Sequence, residues 1–227
     1  MKRLAVLLAG SGTNLQALLD SEAAGLDARV EVVVSHRADA YGLERAKNAG
    51  RTAVYVPFAG RADPARRMGD ERRLARLLDA FEPDLIVLAG WMRVLSGEWL
   101  EHFPNRVINV HPALLPGDGS DVVSTSFGPR PVFRGAHAVR DALKANAPVT
   151  GASVHYATAR PDAGPVILSE EVVIRPDDTE HSLYERIKRV EHRLLPRATR
   201  MALVQPGQVT TTPLNERTGA LALAGGR

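Results

Sequence analysis

The sequence predicts an α/β fold: a mostly parallel sheet with helices packed on both faces. Three observations carry this reading. Short apolar runs alternate with helix-period segments through the first 110 residues, the signature of successive βαβ units. Glycine or proline punctuates the ends of these segments. The chain has 227 residues, 44% of them hydrophobic and 24% charged, which suits one large domain or two small ones sharing a core.

The first run, Leu4–Ala9, lies between Met1-Lys2-Arg3 and Gly10. Its length fits a buried strand. It is too short for a signal-peptide core or a membrane span, so a cytoplasmic protein is expected. Gly10-Ser11-Gly12-Thr13-Asn14 follows and opens a helix at about Leu15. The next strand is Val30–Ser35. Ala40–Ala49 reads as a helix with Gly50 as its stop. Thr52–Val56 is the third strand. Leu74, Leu77, Leu78 and Phe81 recur at i, i+3, i+4 and i+7, one face of a helix, and Pro83 ends it. Leu85–Ala89 and Val107–Val110 complete the first half.

The second half reads differently. Ala152–Ala157 and Val166–Ile174 are strands flanking a Pro-Asp-Ala-Gly turn. Leu183, Ile187, Val190 and Leu194 form a long helical stripe, and Pro196 is expected to kink or break it. The stretch 206–227, rich in Gly, Thr and small residues, is expected to be a short strand or loose tail. Gly117–Val132 reads as a long surface loop, either a functional lid or a tolerated insertion.

Charge and cysteine content exclude several classes. Lys plus Arg number 29 and Asp plus Glu 26, a net +3, too weak to argue for nucleic acid. There are no cysteines, which removes disulfide scaffolds, thiolate metal sites and thiol catalysis. The spacing of His36, His102, His137, His181 and His192 matches no metal-ligand pattern, so no metal is expected.

The glycine turn points to a phosphate. A helix N-terminus offers free N–H groups and partial positive charge at the carboxyl edge of the first strand. A dinucleotide site also needs a small residue where Leu15 stands and an acid after the second strand, which here ends Val34-Ser35-His36-Arg37. No Gly-Lys-Ser or Gly-Lys-Thr is present, so a triphosphate P-loop is excluded as well. A tight turn without a ligand is the alternative.

Asn109 and His111 lie two apart at the end of the fifth strand, which puts both side chains on one side. Polar groups there are costly unless they are used. Asp162, in the Pro-Asp-Ala-Gly turn, is the candidate carboxylate partner.

These residues carry a family resemblance. Asn109-Val110-His111-Pro112-Ala113-Leu114-Leu115-Pro116, then Gly151-Ala152-Ser153-Val154-His155 and Asp162-Ala163-Gly164-Pro165-Val166-Ile167, resemble the formyltransferases that use 10-formyltetrahydrofolate. The Gly10–Asn14 turn, the segment Pro83–Ser96 and Lys188-x-x-Glu191-His192 resemble the branch that formylates glycinamide ribotide. The match runs from about residue 3 to about 205. It implies a Rossmann-like formyltransferase fold: one domain over 1–205, with a ribotide-phosphate half (about 1–105) and a catalytic, folate-binding half (about 106–205). It also implies formyl transfer from 10-formyltetrahydrofolate, as co-substrate, to the amine of 5-phosphoribosylglycinamide in purine biosynthesis.

The resemblance assigns roles by position. Asn109 would donate to the oxyanion of the tetrahedral intermediate. His111 would act as cationic donor or general acid, its pKa raised by Asp162. Asp162 would assist proton transfer, through water if need be. Gly12, Thr13 and Asn14 would hold the phosphate, and Lys188 and Glu191 the ribotide. Met92, Arg93, Val94 and Leu95 would line the pterin pocket. Tyr156, Ala157, Thr158, Ala159, Arg160 and Pro161 would close over the folate. Arg67, with Arg66 as the neighbouring register, would lie near the folate, and His155 near the active site. The implied partners are the two small molecules, with no nucleic acid and no membrane, and the chain a monomer or weak homodimer.

The sequence departs from the family between Pro116 and Phe133, where about sixteen residues (Gly117–Val132) intervene. Arg134 also stands where the family has proline. Two alternatives keep part of the reading. One is a formyltetrahydrofolate hydrolase or another formyltransferase with the same Asn–His–Asp chemistry. The other is a non-catalytic folate-binding module whose site the insertion blocks.

Overall fold

A computed structural model describes residues 1–58 and 63–207. In chain order the elements are β1 (Lys2–Leu8), α1 (Thr13–Ala23), β2 (Ala28–Ser35), α2 (Tyr41–Asn48), β3 (Thr52–Tyr55), α3 (Pro64–Asp79), β4 (Leu85–Leu88), α4 (Gly97–His102), β5 (Val107–His111), β6 (Val122–Thr125), β7 (Gly128–Pro131), α5 (Ala138–Lys144), β8 (Val149–Tyr156), β9 (Val166–Val173) and α6 (Glu180–Val204). Seven strands form one sheet in the order β3-β2-β1-β4-β5-β8-β9. The first five pair in parallel, whereas β5–β8 and β8–β9 are antiparallel.

The alternation within β1 shows why both faces carry helices. Leu4, Val6 and Leu8 join one apolar core with Leu15 and Leu18 of α1, Leu43 of α2 and Ile187 of α6. Ala5 and Leu7 point the other way and join a second core with Leu74 and Leu78 of α3 and Trp99 of α4. A strand buried on both faces must be apolar at every position. The chain runs from β1 outward through β2 and β3, then returns to place β4 on the other side of β1. Such a reversal leaves a crevice at the carboxyl ends of the strands, where open α/β sheets bind ligands.

Three expectations are corrected. Gly117–Val132 is not a plain loop: it contains a two-stranded antiparallel hairpin, with Thr125 paired to Gly128. The β-branched run Val122–Thr125 supplies strand propensity, and Gly128 takes φ 84°. Pro129 and Pro131 are tolerated because β7 has only one neighbour. Pro196 does not break the last helix, which continues to Val204. Leu194, Leu195, Ala198 and Ala202 stay fully or almost fully buried around the proline. Burying each leucine is worth ~1.5–3 kcal/mol, which offsets the ~3 kcal/mol cost of an interior proline. Helix α1 begins at Thr13, two residues before the position read from the apolar pattern.

Helices α4 and α5 span only 6 and 7 residues, too short to show a helical period in the sequence. The expected tail over 206–227 falls, from residue 208 onward, outside the described residues. Among the described residues no helix is long and apolar enough to cross a membrane.

Candidate active site

A cleft of about 420 Å³ opens at the carboxyl ends of β4 and β5 and the start of α1. Asn109, His111 and His155 line its floor together with Asp162. The sheet register explains the meeting. Asn109 and His155 are directly paired across β5 and β8, so their side chains share a face. His111 follows two positions on and shares it too.

Asn109 Nδ2 lies 3.1 Å from His155 Nε2 and 3.5 Å from Asp162 Oδ1. His155 Nδ1 lies 2.9 Å from the Tyr156 carbonyl. A carbonyl only accepts, so Nδ1 carries a proton, and Nε2 faces the Asn109 amide. By the same reasoning His111 Nε2, 2.8 Å from the Phe133 carbonyl, carries a proton. Its Nδ1 faces Asp162 Oδ1 at 3.6 Å, the same separation as His155 Nε2 from that oxygen. The Gly135 N–H donates to the other carboxylate oxygen at 2.8 Å. One carboxylate therefore faces two imidazoles and an amide.

Electrostatics corrects one expectation. The His111 pKa is lowered rather than raised: burial pushes it down, and Asp162 and the Phe133 carbonyl pull it up without prevailing. The ring is 4% exposed, so desolvating an imidazolium dominates. Burial also works to raise the Asp162 carboxyl. The His155 ring, the His111 ring and the Gly135 N–H outweigh it and hold the group down at about 2. The free site thus carries an ionised carboxylate beside a neutral imidazole.

Within the lining, Asn14 on the first turn of α1 meets Glu191 of α6. Asn14 Nδ2 donates to Glu191 Oε2 at 2.9 Å. Burial pushes the Glu191 carboxyl up to about 7, against the Asn14 hydrogen bond and the Lys188 charge. Gly12 caps α1 with φ 72° and lies so close to α2 that a Cβ would stand 2.6 Å from the Gly42 Cα. Asn14 and Glu191 line the cleft. Gly12 and Thr13 sit beside it in the turn. Lys188 stands outside the lining, with Nζ 2.6 Å from Glu185 Oε1 and over the Tyr184 ring.

Met92, Arg93, Val94 and Leu95 form a continuous stretch of the wall with Trp91. Glu71 of α3 fixes this wall from behind. Its carboxylate, 4% exposed, accepts the Ser96 N–H at 2.9 Å and the Ser96 hydroxyl at 2.5 Å. Arg67 turns inward toward Glu71, at 3.8 Å, whereas Arg66 is exposed. Neither arginine lines the cleft. Of the segment 156–161, Ala157, Thr158 and Pro161 line it. Tyr156 is buried, and its hydroxyl accepts the Gly207 N–H. Ala159 and Arg160 are exposed.

Sequence reasoning missed Tyr184, which lines the cleft. Its phenol is pushed up to about 12 by burial and by Glu191 and Glu185, so it stays a hydroxyl donor. The signal was present: Tyr184, Lys188 and Glu191 are spaced i, i+4, i+7 on one helical face. Glu71 carried no sequence signal, because its partner Ser96 lies 25 residues away.

The chain is similar to known proteins along most of its length. The formyl transferase family model matches residues 2–199. Phosphoribosylglycinamide formyltransferase of Escherichia coli (strain K12) is 36% identical over 194 residues, 85% of this chain and 83% of that protein. The trifunctional purine biosynthetic protein adenosine-3 of Drosophila melanogaster is 38% identical over 213 residues, and this chain spans only 14% of its length. Among solved structures, glycinamide ribonucleotide transformylase 1 from Symbiobacterium toebii superposes with a TM-score of 0.77 at 43% identity, covering 90% of this chain and 88% of that one.

Proposed function

This chain belongs to the formyl transferase family, and on that premise we propose that it transfers a formyl group from 10-formyltetrahydrofolate to the amine of 5-phosphoribosylglycinamide. The products are formylglycinamide ribotide and tetrahydrofolate. One observation carries the reading: Asn109, His111 and Asp162 converge in a cleft whose lining also includes the Asn14–Glu191 pair and the Met92–Leu95 stretch. On this reading residues 1–205 act as one domain, with the phosphate end in the first half and the catalytic strand in the second.

The chemistry follows from the groups present. The amine nitrogen attacks the formyl carbon, and the carbonyl electron pair moves onto oxygen. Asn109 has two amide hydrogens. One faces His155, which fixes the amide plane, and the other, weakly held by Asp162 Oδ1 at 3.5 Å, turns to the developing oxyanion. The attacking nitrogen must lose a proton. The neutral His111 Nδ1 takes it, directly or through a water, and the Asp162 carboxylate neutralises the imidazolium that forms. Collapse re-forms the carbonyl and breaks the bond to the folate nitrogen, which receives the proton. His111 begins as the acceptor and ends as the acid, because its buried ring starts neutral.

Substrate binding follows the same logic. The open N–H groups of Thr13 and Asn14 and the dipole of α1 hold the phosphate, with Gly12 allowing the close turn. Asn14 Oδ1 has no partner among the described residues and accepts from the ribotide. Glu191, beside Asn14 in the cleft lining, takes the ribotide, with Lys188 one turn away on α6. The apolar walls of Trp91, Val94 and Leu95 take the pterin, with backbone groups of 92–95 for its polar edge. Ala157, Thr158 and Pro161 border the folate's outer part.

The test is direct. Purified protein incubated with both substrates is expected to form tetrahydrofolate only when the ribotide is present. No tetrahydrofolate at micromolar enzyme, or formate release independent of the ribotide, overturns the reading.

A further inference from the structure

Asp162 is held in a backbone conformation that favours glycine, with φ 53°. A non-glycine residue there costs ~1 kcal/mol or more and persists only where its surroundings hold it. Those surroundings come from Arg134, just past the inserted segment, and from the segment itself. Arg134 Nε donates to the Asp162 carbonyl at 3.1 Å. Its Nη1 donates to Asp121 Oδ1 at 2.6 Å, and its Nη2 to the carbonyls of Gly119 at 3.2 Å and Ser120 at 2.5 Å. The same guanidinium therefore bridges the base of the β6–β7 hairpin and the backbone of Asp162.

Other contacts close the arrangement. Gly119 presses on the residue after Asp162: a Cβ on it would stand 3.0 Å from the Ala163 carbonyl. Arg160, two residues before Asp162, reaches Asp121 Oδ1 at 3.3 Å and the Gly119 carbonyl at 3.4 Å. The hairpin tip is tied down at its far end, where the Ser126 N–H donates to Glu171 Oε1 of β9 at 2.7 Å and the Ser126 hydroxyl donates to Oε2. Anchored at both ends, the hairpin can hold a fixed position against the loop.

We propose that the inserted hairpin and Arg134 form a brace that fixes Asp162 against β5, and that Arg134 is a positioning residue for formyl transfer. The proposal rests on the reading of Asp162 as part of the catalytic set. Without Arg134 the Asp162 backbone is free to relax to negative φ, which swings its carboxylate away from His111 and Asn109. The planar fork matters as much as the charge, because one group must meet acceptors on two segments.

The experiment compares Arg134→Ala, Arg134→Lys and Asp121→Asn with the parent and with Asp162→Asn. It measures kcat, both KM values, melting temperature and amide hydrogen exchange across residues 160–164. Arg134→Ala is expected to stay folded and to lose about 10–100-fold in kcat, with each KM changed by less than about threefold. Arg134→Lys is expected to recover only a small part of that loss. Exchange across 160–164 is expected to quicken in both Arg134→Ala and Asp121→Asn. A kcat within about twofold of the parent for Arg134→Ala overturns the brace, as does full recovery by Arg134→Lys. If Asp162→Asn turns over normally, it is the catalytic reading of Asp162 that fails. Exchange then decides the brace alone: quickened exchange in Arg134→Ala supports it, and unchanged exchange overturns it.

Discussion

The Glu191 carboxylate accepts a 2.9 Å hydrogen bond from the Asn14 side-chain amide, joining the first turn of α1 to the middle of α6 across 177 positions of sequence. The contact ties the glycine turn to the last helix and forms part of the cleft lining. It also buries an acid that is only 3% exposed, and burial moves that acid's pKa up to about 7.

That shift predicts a pH-dependent stability. Between about pH 4.5 and 7 the native state holds a proton on Glu191 that the unfolded state has released, so stability falls as pH rises through this window. The full effect is on the order of 3 kcal/mol, the free-energy equivalent of the shift. Glu191→Gln is expected to remove it. Urea unfolding at pH 5 and pH 8 should show the variant gaining on the parent at the higher pH. Parallel pH profiles for the two proteins would contradict the burial argument.

Asp162→Asn removes the carboxylate that faces both imidazoles. Turnover is expected to fall by about 10²–10⁴-fold, the range for a proton-transfer group, while both substrates still bind in calorimetry. The held-down pKa adds an acid-stability effect. Asp162 titrates at about 2 in the fold against 3.8 ordinarily, so its contribution is present above about pH 4 and is lost as pH falls through about 2. It amounts to roughly 2 kcal/mol. Unfolding free energies of parent and variant should converge by about that amount between pH 4 and 2. Unchanged turnover would remove Asp162 from the mechanism.

Gly12→Ala places a methyl group 2.6 Å from the Gly42 Cα at a residue with φ +72°. The left-handed conformation alone costs ~1–2 kcal/mol, and the clash with backbone adds ~1 kcal/mol or more. A loss of about 2–3 kcal/mol in urea unfolding is expected, with weaker inhibition by a ribose phosphate. A change below about 0.5 kcal/mol would mean that α2 moves aside freely.

Glu71→Gln tests the support behind the Met92–Leu95 wall. The amide keeps one acceptor where the carboxylate offers two to Ser96. Losing one charge-assisted bond is expected to raise the KM for 10-formyltetrahydrofolate by about three- to tenfold while leaving the ribotide KM unchanged. Equal changes in both KM values would show a general loss of structure instead.

Much of the fold is legible in the sequence because its signals are local. The first apolar run reads as a strand without reference to any partner, and the Leu74–Phe81 stripe reads as a helix face by spacing alone. The site is legible in part. Asn109 and His111 stand out because strand geometry puts them together whatever surrounds them. Tyr184 was within reach through its spacing from Glu191. Glu71 and Arg134 were not, since each acts through a partner that the fold brings near: Ser96 for one, the Asp162 carbonyl for the other. Pro196 misled because its local rule is overridden by the buried leucines and alanines around it.

By itself the sequence determined the α/β class, the order of strands and helices along the chain, the glycine turn at Gly10–Asn14 and the chemical types at the end of β5. These depend on periodicity and on residue identity, which the chain carries in one dimension. Tertiary structure alone decided which carboxylate meets which imidazole, that burial leaves His111 neutral and Glu191 near neutral titration, and that the inserted segment is a hairpin lying against Asp162. The reason is physical. Desolvation and hydrogen bonding depend on neighbours drawn from distant parts of the chain, and no local pattern encodes the distance between them.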